Sequence, residues 1–191
     1  LPIKNIDLPE KLKRNTKSSS TRKNRKILGK SIEERPETVN SREEFGHWEI
    51  DSVLGKKKDT EPAIMTIVER KTRMSLWIKI KDHSSMAMDE ALQNLINRFG
   101  TKKSEVFKSI TGDNGSEFSN LSKIENNGTS VYFTHPYTSC EKGTNECHNK
   151  MLRRFIPKGK SMSDYKTEDI LFFSDVINGL PRKILNYHTP E

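Results

Sequence analysis

The sequence predicts an α/β fold, a mixed five-stranded sheet flanked by helices on both faces. Three observations carry this. Between residues 46 and 80, three short segments rich in β-branched and aromatic residues follow one another with brief connections, the pattern of an antiparallel meander. The apolar period then becomes helical over 84–99. Two more strand-like segments follow, and a strand reached through a crossover helix lies parallel to its partner.

The elements read in order. "GHWEIDSVLG" gives a strand over 46–54, "AIMTIVERK" a second over 63–71 and, after a turn at Thr72, "MSLWIKI" a third over 74–80. Met88, Leu92, Leu95 and Phe99 then recur at helical spacing, with Ala91 and Ile96 widening the stripe. Ser84 or Ser85 serves as its cap and Gly100 marks its end. The run "EVFKSI" reads as a fourth strand ending near Thr111, followed by a short helix over 116–125. "SVYFTH", 130–135, is a fifth strand stopped by Pro136. "TNECHNKMLRRF" forms a polar helix over 144–155, and a last helical region, 167–187, is broken around "NGLP". There is no internal repeat.

Charge divides the chain. The net charge is +8, yet residues 1–35 hold 11 Lys or Arg against 4 Asp or Glu, so residues 36–191 carry only +1. We therefore expect a basic, flexible linker or arm over 1–40 and a folded core over 41–191. A basic segment of this kind seeks phosphates or anionic surfaces; a solvated tail is the competing reading. The first residue is Leu1 rather than Met, so a longer polypeptide is expected to precede it. The apolar runs, such as "ILFF", are far too short to span a membrane, and no signal-peptide h-region is visible. Two cysteines, Cys140 and Cys147, do not make a disulfide framework, and a reducing, cytoplasmic location follows. With His148 they offer three zinc-type ligands but no C-x-x-C pair, a pattern that favours ordinary thiols.

Three carboxylates stand in unusual contexts. Asp51 lies inside "HWEIDSVL", although Asp is depleted in strands. His47, Glu49 and Asp51 share one strand face, and Trp48, Ile50 and Ser52 the other. An exposed edge would tolerate Asp51; a central strand would require a partner for it, such as a metal. Asp113 stands at the end of the fourth strand in "SITGDNGSEFSN". Asp-Asn-Gly is ordinary turn chemistry, but sites in open α/β sheets gather beyond the carboxyl ends of strands. If the fourth strand pairs with the first, Asp51 and Asp113 become neighbours. Glu146 falls in the first turn of the polar helix, which Thr144 is expected to cap. The helix dipole favours an acid there in any case, but Glu146, Asn149 and Arg153 also share one helical face. Three hard oxygen ligands suit two divalent cations, Mg²⁺ or Mn²⁺. Two such ions, roughly 4 Å apart, serve phosphodiester chemistry.

"FGHWEID", "VERKTR", "TGDNGSEF", "HPYTSCEKGTNECHNKMLRRFIPKG" and "PRKILNYHTP" occur in this order. Together they resemble the catalytic core of bacterial insertion-sequence transposases of the thirty family, within the DDE transposase and retroviral integrase superfamily. The resemblance runs from about Ile32 to the last residue. It implies an RNase H-like fold and a metal-dependent Asp-Asp-Glu triad at Asp51, Asp113 and Glu146, the last two separated by 32 residues. It implies cleavage of DNA at transposon ends and joining of the freed 3′-hydroxyl to target DNA. The partners would be transposon-end and target DNA and a second copy of the chain, as a homodimer or higher oligomer, in a bacterial, nucleoid-associated setting. Lys142, Asn149, Lys150, Arg153 and Lys158 are the candidates for DNA-backbone contacts; a solvated helix face is the plain alternative for each. Family members carry N-terminal helix-turn-helix regions, and none is read here. Two other readings stand beside this one, a non-catalytic DNA-binding regulator and an RNase H-like nuclease without joining activity.

Overall fold

A computed structural model describes residues 28–56, 60–136 and 139–190. Expectations for residues 1–27 lie outside the described residues. Five strands form one sheet in the order β3-β2-β1-β4-β5. They are β1 (His47–Leu54), β2 (Ala63–Glu69), β3 (Ser75–Ile80), β4 (Ser109–Gly112) and β5 (Ser130–Phe133). β1–β2 and β2–β3 are antiparallel, while β1–β4 and β4–β5 are parallel. The fold is therefore the mixed, RNase H-like α/β sheet that the sequence predicts.

Among the described residues, five α-helices accompany the sheet: α1 (Glu37–Ser41), α2 (Ser85–Asn97), α3 (Lys103–Val106), α4 (Gly143–Phe155) and α5 (Thr167–Asn178). Strand alternation sends side chains to two cores. Trp48 and Ile50 of β1, with Met65 and Ile67 of β2, pack against Met88, Leu92 and Ile96 of α2. Val53, Ile64 and Trp77 face Leu152 of α4 and Ile170 and Ile177 of α5 on the other side. β2 is buried along its whole length, as expected of a strand covered on both faces. Ser84 caps α2, its Oγ accepting the Ala87 N–H at 3.2 Å.

Two local differences from the sequence reading have physical reasons. "EVFKSI" begins as a helical turn rather than a strand: α3 ends at Val106 and β4 starts only at Ser109. Val106 and Phe107 nevertheless join the core, so the apolar signal was burial, which does not itself specify strand. Residues 28–40, expected to lack a core, are attached to the domain. Ser31 bridges Phe133 of β5, Val39 is buried, and the Arg35 Nη1 donates to Thr111 Oγ1 at 3.3 Å. Burial pushes the Arg35 guanidinium down to about 10, still charged at neutral pH.

Candidate active site

β1 and β4 run side by side and parallel, Glu49 standing opposite Thr111. The carboxyl end of β4 brings Asp113 beside Asp51, which lies in the middle of β1 just past the residues paired with β4, as the pairing of the fourth strand with the first requires. One cation lies between them, the ammonium of Lys142. It donates to Asp51 Oδ1 at 3.1 Å, to Asp113 Oδ2 at 3.0 Å and to the Ile50 carbonyl at 3.1 Å. Its side chain is only 7% exposed, and Nζ lies 5.6 Å from the centroid of the Phe118 ring.

Each carboxylate is also oriented from behind. Asp51 Oδ2 accepts the Asn149 amide at 2.6 Å, and Asn149 Oδ1 accepts the Thr66 hydroxyl of β2 at 3.1 Å. Asp113 Oδ1 accepts the Gly115 N–H at 3.0 Å, closing the turn that follows β4. Asn114 ties this turn to both flanks, accepting the Leu28 N–H and donating to the Thr134 carbonyl. A Cβ at Gly115 would stand 2.3 Å from Glu117 Oε2 and 2.9 Å from Asp113 Oδ1. A side chain there would have to push the Glu117 and Asp113 carboxylates aside. The "DNG" turn chemistry and the placement of a site carboxylate are one feature.

A buried ion pair supports α4. Glu49 is fully buried; its Oε1 accepts Arg70 Nη1 at 2.7 Å, and its Oε2 accepts the Asn145 N–H at 3.0 Å. A carboxylate on the free N–H groups of a helix start is favoured by both hydrogen bonding and the dipole. The expected Thr144 cap is thus replaced by Glu49 from β1. Thr144 Oγ1 instead accepts Arg73 Nη1 at 3.0 Å. The turn Ser139–Lys142 before α4 is clipped by Glu141, which accepts the His135 N–H and Nδ1, each at 2.8 Å. The hydrogen bond and charge of Glu141 hold the His135 imidazole above its ordinary range.

Glu146 stands apart from the aspartate pair. It is about half exposed and pairs with Lys150 at 3.2 Å. Among the described residues, no three His, Cys, Asp or Glu side chains are assembled as a metal site. The zinc-type reading gains no support: both ring nitrogens of His148 face backbone carbonyls, those of Thr144 and Arg73, and burial pushes its imidazole down. Cys147 is an exposed free thiol.

Of the DNA-contact candidates, Lys150 and Lys158 are exposed, while three are committed within the chain. Lys142 is held between the aspartates and Asn149 on Asp51. Arg153 Nη2 donates to the Leu54 carbonyl at 2.8 Å, its guanidinium pushed down by burial. Arg153 Nη1 is buried with no partner. Glu49–Arg70 and the internal role of Lys142 were missed by sequence reasoning. For Glu49 a signal existed, a second acid on the face of Asp51.

Chemically, two carboxylates and a backbone carbonyl converging on one cation form a hard-oxygen set. Such a set fits Mg²⁺ or Mn²⁺.

The fold defines the class. Residues 41–139 match the integrase core domain, and the chain belongs to that family. The chain is also similar to insertion-sequence transposases, in line with the resemblance of its motifs. It is 45% identical over 191 residues to the "Probable transposase for insertion-like sequence element IS1161" of Streptococcus salivarius, covering all of this chain and 54% of that protein. It is 32% identical over 166 residues to the transposase InsI for insertion sequence element IS30A of Escherichia coli, covering 86% and 42%. It is 37% identical over 166 residues to the transposase for insertion sequence element IS4351 of Bacteroides fragilis, covering 84% and 48%. The chain thus spans about half the length of the curated relatives it matches. Among the described residues, no helix is long and apolar enough to cross a membrane.

Proposed function

We propose that this chain is the catalytic part of a DNA transposase, cutting DNA at transposon ends and joining the freed 3′-hydroxyl to target DNA. The observation that carries this reading is the convergence on a single cation position of Asp51, in the middle of β1, and Asp113, just past the end of the adjacent parallel β4. Asp51, Asp113 and Glu146 would hold two Mg²⁺ or Mn²⁺ ions. Such ions supply activation of the attacking oxygen and stabilisation of the leaving one.

The chain's own residues prepare the rest. Asn149 and Gly115 fix the two aspartates so that little reorganisation remains when DNA arrives. Glu146 is held only by a half-exposed i,i+4 pair, a contact worth about 0–1 kcal/mol. That pair is therefore cheap to break when a metal ion competes for the carboxylate. Lys150 and Lys158 reach solvent and would meet phosphates. Residues 1–27, which hold 9 Lys or Arg against 2 Asp or Glu, would serve as the basic arm, and the core would begin with the attached residues from 28 onward. A dimer would place two active chains on paired ends; exposed Leu171 and Phe172 on α5 offer apolar surface for it. The setting would be the bacterial cytoplasm, on the nucleoid.

The test is a strand-transfer assay with the full chain, a duplex ending in an element terminus and a supercoiled target. Mg²⁺- or Mn²⁺-dependent joined product is expected, lost with chelator. Metal-dependent nicking without joining would favour the nuclease reading. DNA binding with neither would favour the regulator.

A further inference from the structure

We propose that Lys142 is the resident counter-ion of this site. In the DNA-free chain its ammonium holds Asp51 and Asp113 together; a divalent cation displaces it and so releases it toward the DNA backbone. This rests on the reading of the two aspartates as metal ligands.

The geometry is that of a built cation site rather than a surface lysine. An ammonium has three N–H donors and no acceptor. All three are matched, by Asp51 Oδ1, Asp113 Oδ2 and the Ile50 carbonyl at 3.0–3.1 Å. The Phe118 ring closes one side. Two carboxylates this close would repel one another without a cation between them. A divalent ion uses the same oxygens, so ion and ammonium compete for one position.

Lys142 is also placed to leave. It ends the turn Ser139–Lys142 and immediately precedes α4. The backbone on either side is tethered, by Glu141 to His135 before it and by Asn145 to Glu49 after it. The flexible four-carbon stem can therefore swing while the turn stays put. The freed ammonium would lie beside the phosphate that the metal ions engage. Metal and DNA then each favour the same released state, and by linkage each strengthens the binding of the other.

The experiment measures Mn²⁺ affinity by calorimetry, and Mn²⁺-dependent melting, on the full chain and on Lys142→Met and Lys142→Gln. Both variants are expected to bind Mn²⁺ more tightly, by on the order of tenfold or more, since a charge-assisted contact no longer competes. Without metal both should melt below wild type, and with Mn²⁺ they should show the larger rise. If a variant folds only when Mn²⁺ is present, that too is the expected exchange. Equal or weaker Mn²⁺ affinity in both variants, or failure of Mn²⁺ to restore a variant's fold, would overturn the proposal. Asp51→Asn separates the two levels of inference. If wild-type Mn²⁺ binding is lost in Asp51→Asn but unchanged in the Lys142 variants, the counter-ion role fails and the metal site stands. If neither wild type nor the Lys142 variants bind Mn²⁺, with or without duplex DNA, the metal-site reading fails, and the counter-ion with it.

Discussion

Asp113→Asn is expected to abolish metal-dependent cutting and joining while leaving the fold intact. The amide keeps the size of the carboxylate, and its one oxygen can still accept from Lys142, while its NH2 then faces the Gly115 N–H that Asp113 accepts. It lacks the charge that draws a divalent ion. Losing a metal's share of transition-state stabilisation costs several kcal/mol, or on the order of 10³-fold or more in rate. The melting temperature should fall by only a few degrees, because Asp51 loses a like-charged neighbour while Lys142 exchanges one charged acceptor for a neutral one and the Gly115 N–H loses its acceptor, a contact worth about 1 kcal/mol. Single-turnover cleavage and a thermal melt on the same preparation check both halves. Cleavage near the wild-type rate would remove Asp113 from the chemistry. Glu49→Gln is the informative control, since Glu49 shares a strand face with Asp51 but is committed to Arg70 and α4.

Arg70→Met is expected to be the most destabilising single change at the site. Glu49 and Arg70 are both nearly inaccessible, and their contact is 2.7 Å. Removing one partner leaves the other charge buried and uncompensated, a cost of about 3–5 kcal/mol. For a domain of this size that is a fall of roughly 6–20 °C in Tm, and urea unfolding gives the energy directly. The double variant Glu49→Met/Arg70→Met should recover much of the loss, because apolar replacement of a buried pair is often close to neutral. It should not recover all of it. Glu49 also accepts the Asn145 N–H at the start of α4, and a lost cap costs about 1 kcal/mol. A double variant no more stable than Arg70→Met would mean that the carboxylate's burial is not what the single change exposes.

The legible part of this molecule is the part that repeats with a period. The alternation in "HWEIDSVL" separates Trp48 and Ile50 from Glu49 and Asp51, and the two cores lie on the predicted faces. A crossover helix after three meander strands put β4 beside β1, and with it Asp113 beside Asp51. The illegible part depends on contacts across long sequence distances. Lys142 reads as one more cation in a basic helix entry; only the folded turn at Ser139–Lys142 buries it between strands 29 and 91 residues away. Thr144 is a proper cap residue by type, yet Glu49 supplies the acceptor because β1 passes beneath α4. "EVFKSI" carries apolar weight without alternation, so burial there could not separate a helical turn from a strand. Glu146 lies in the first turn of α4 as its spacing predicts, but its pairing with Lys150 is a local choice among rotamers that spacing does not determine.

The most direct measurement is anomalous diffraction from crystals of the chain grown with Mn²⁺ and a DNA duplex. The expected result is a manganese peak within coordination distance, on the order of 2 Å, of carboxylate oxygens from both Asp51 and Asp113, with Lys142 Nζ swung away from them. A structure in which Lys142 still bridges the two aspartates, and manganese binds neither carboxylate, would contradict the assignment of this site.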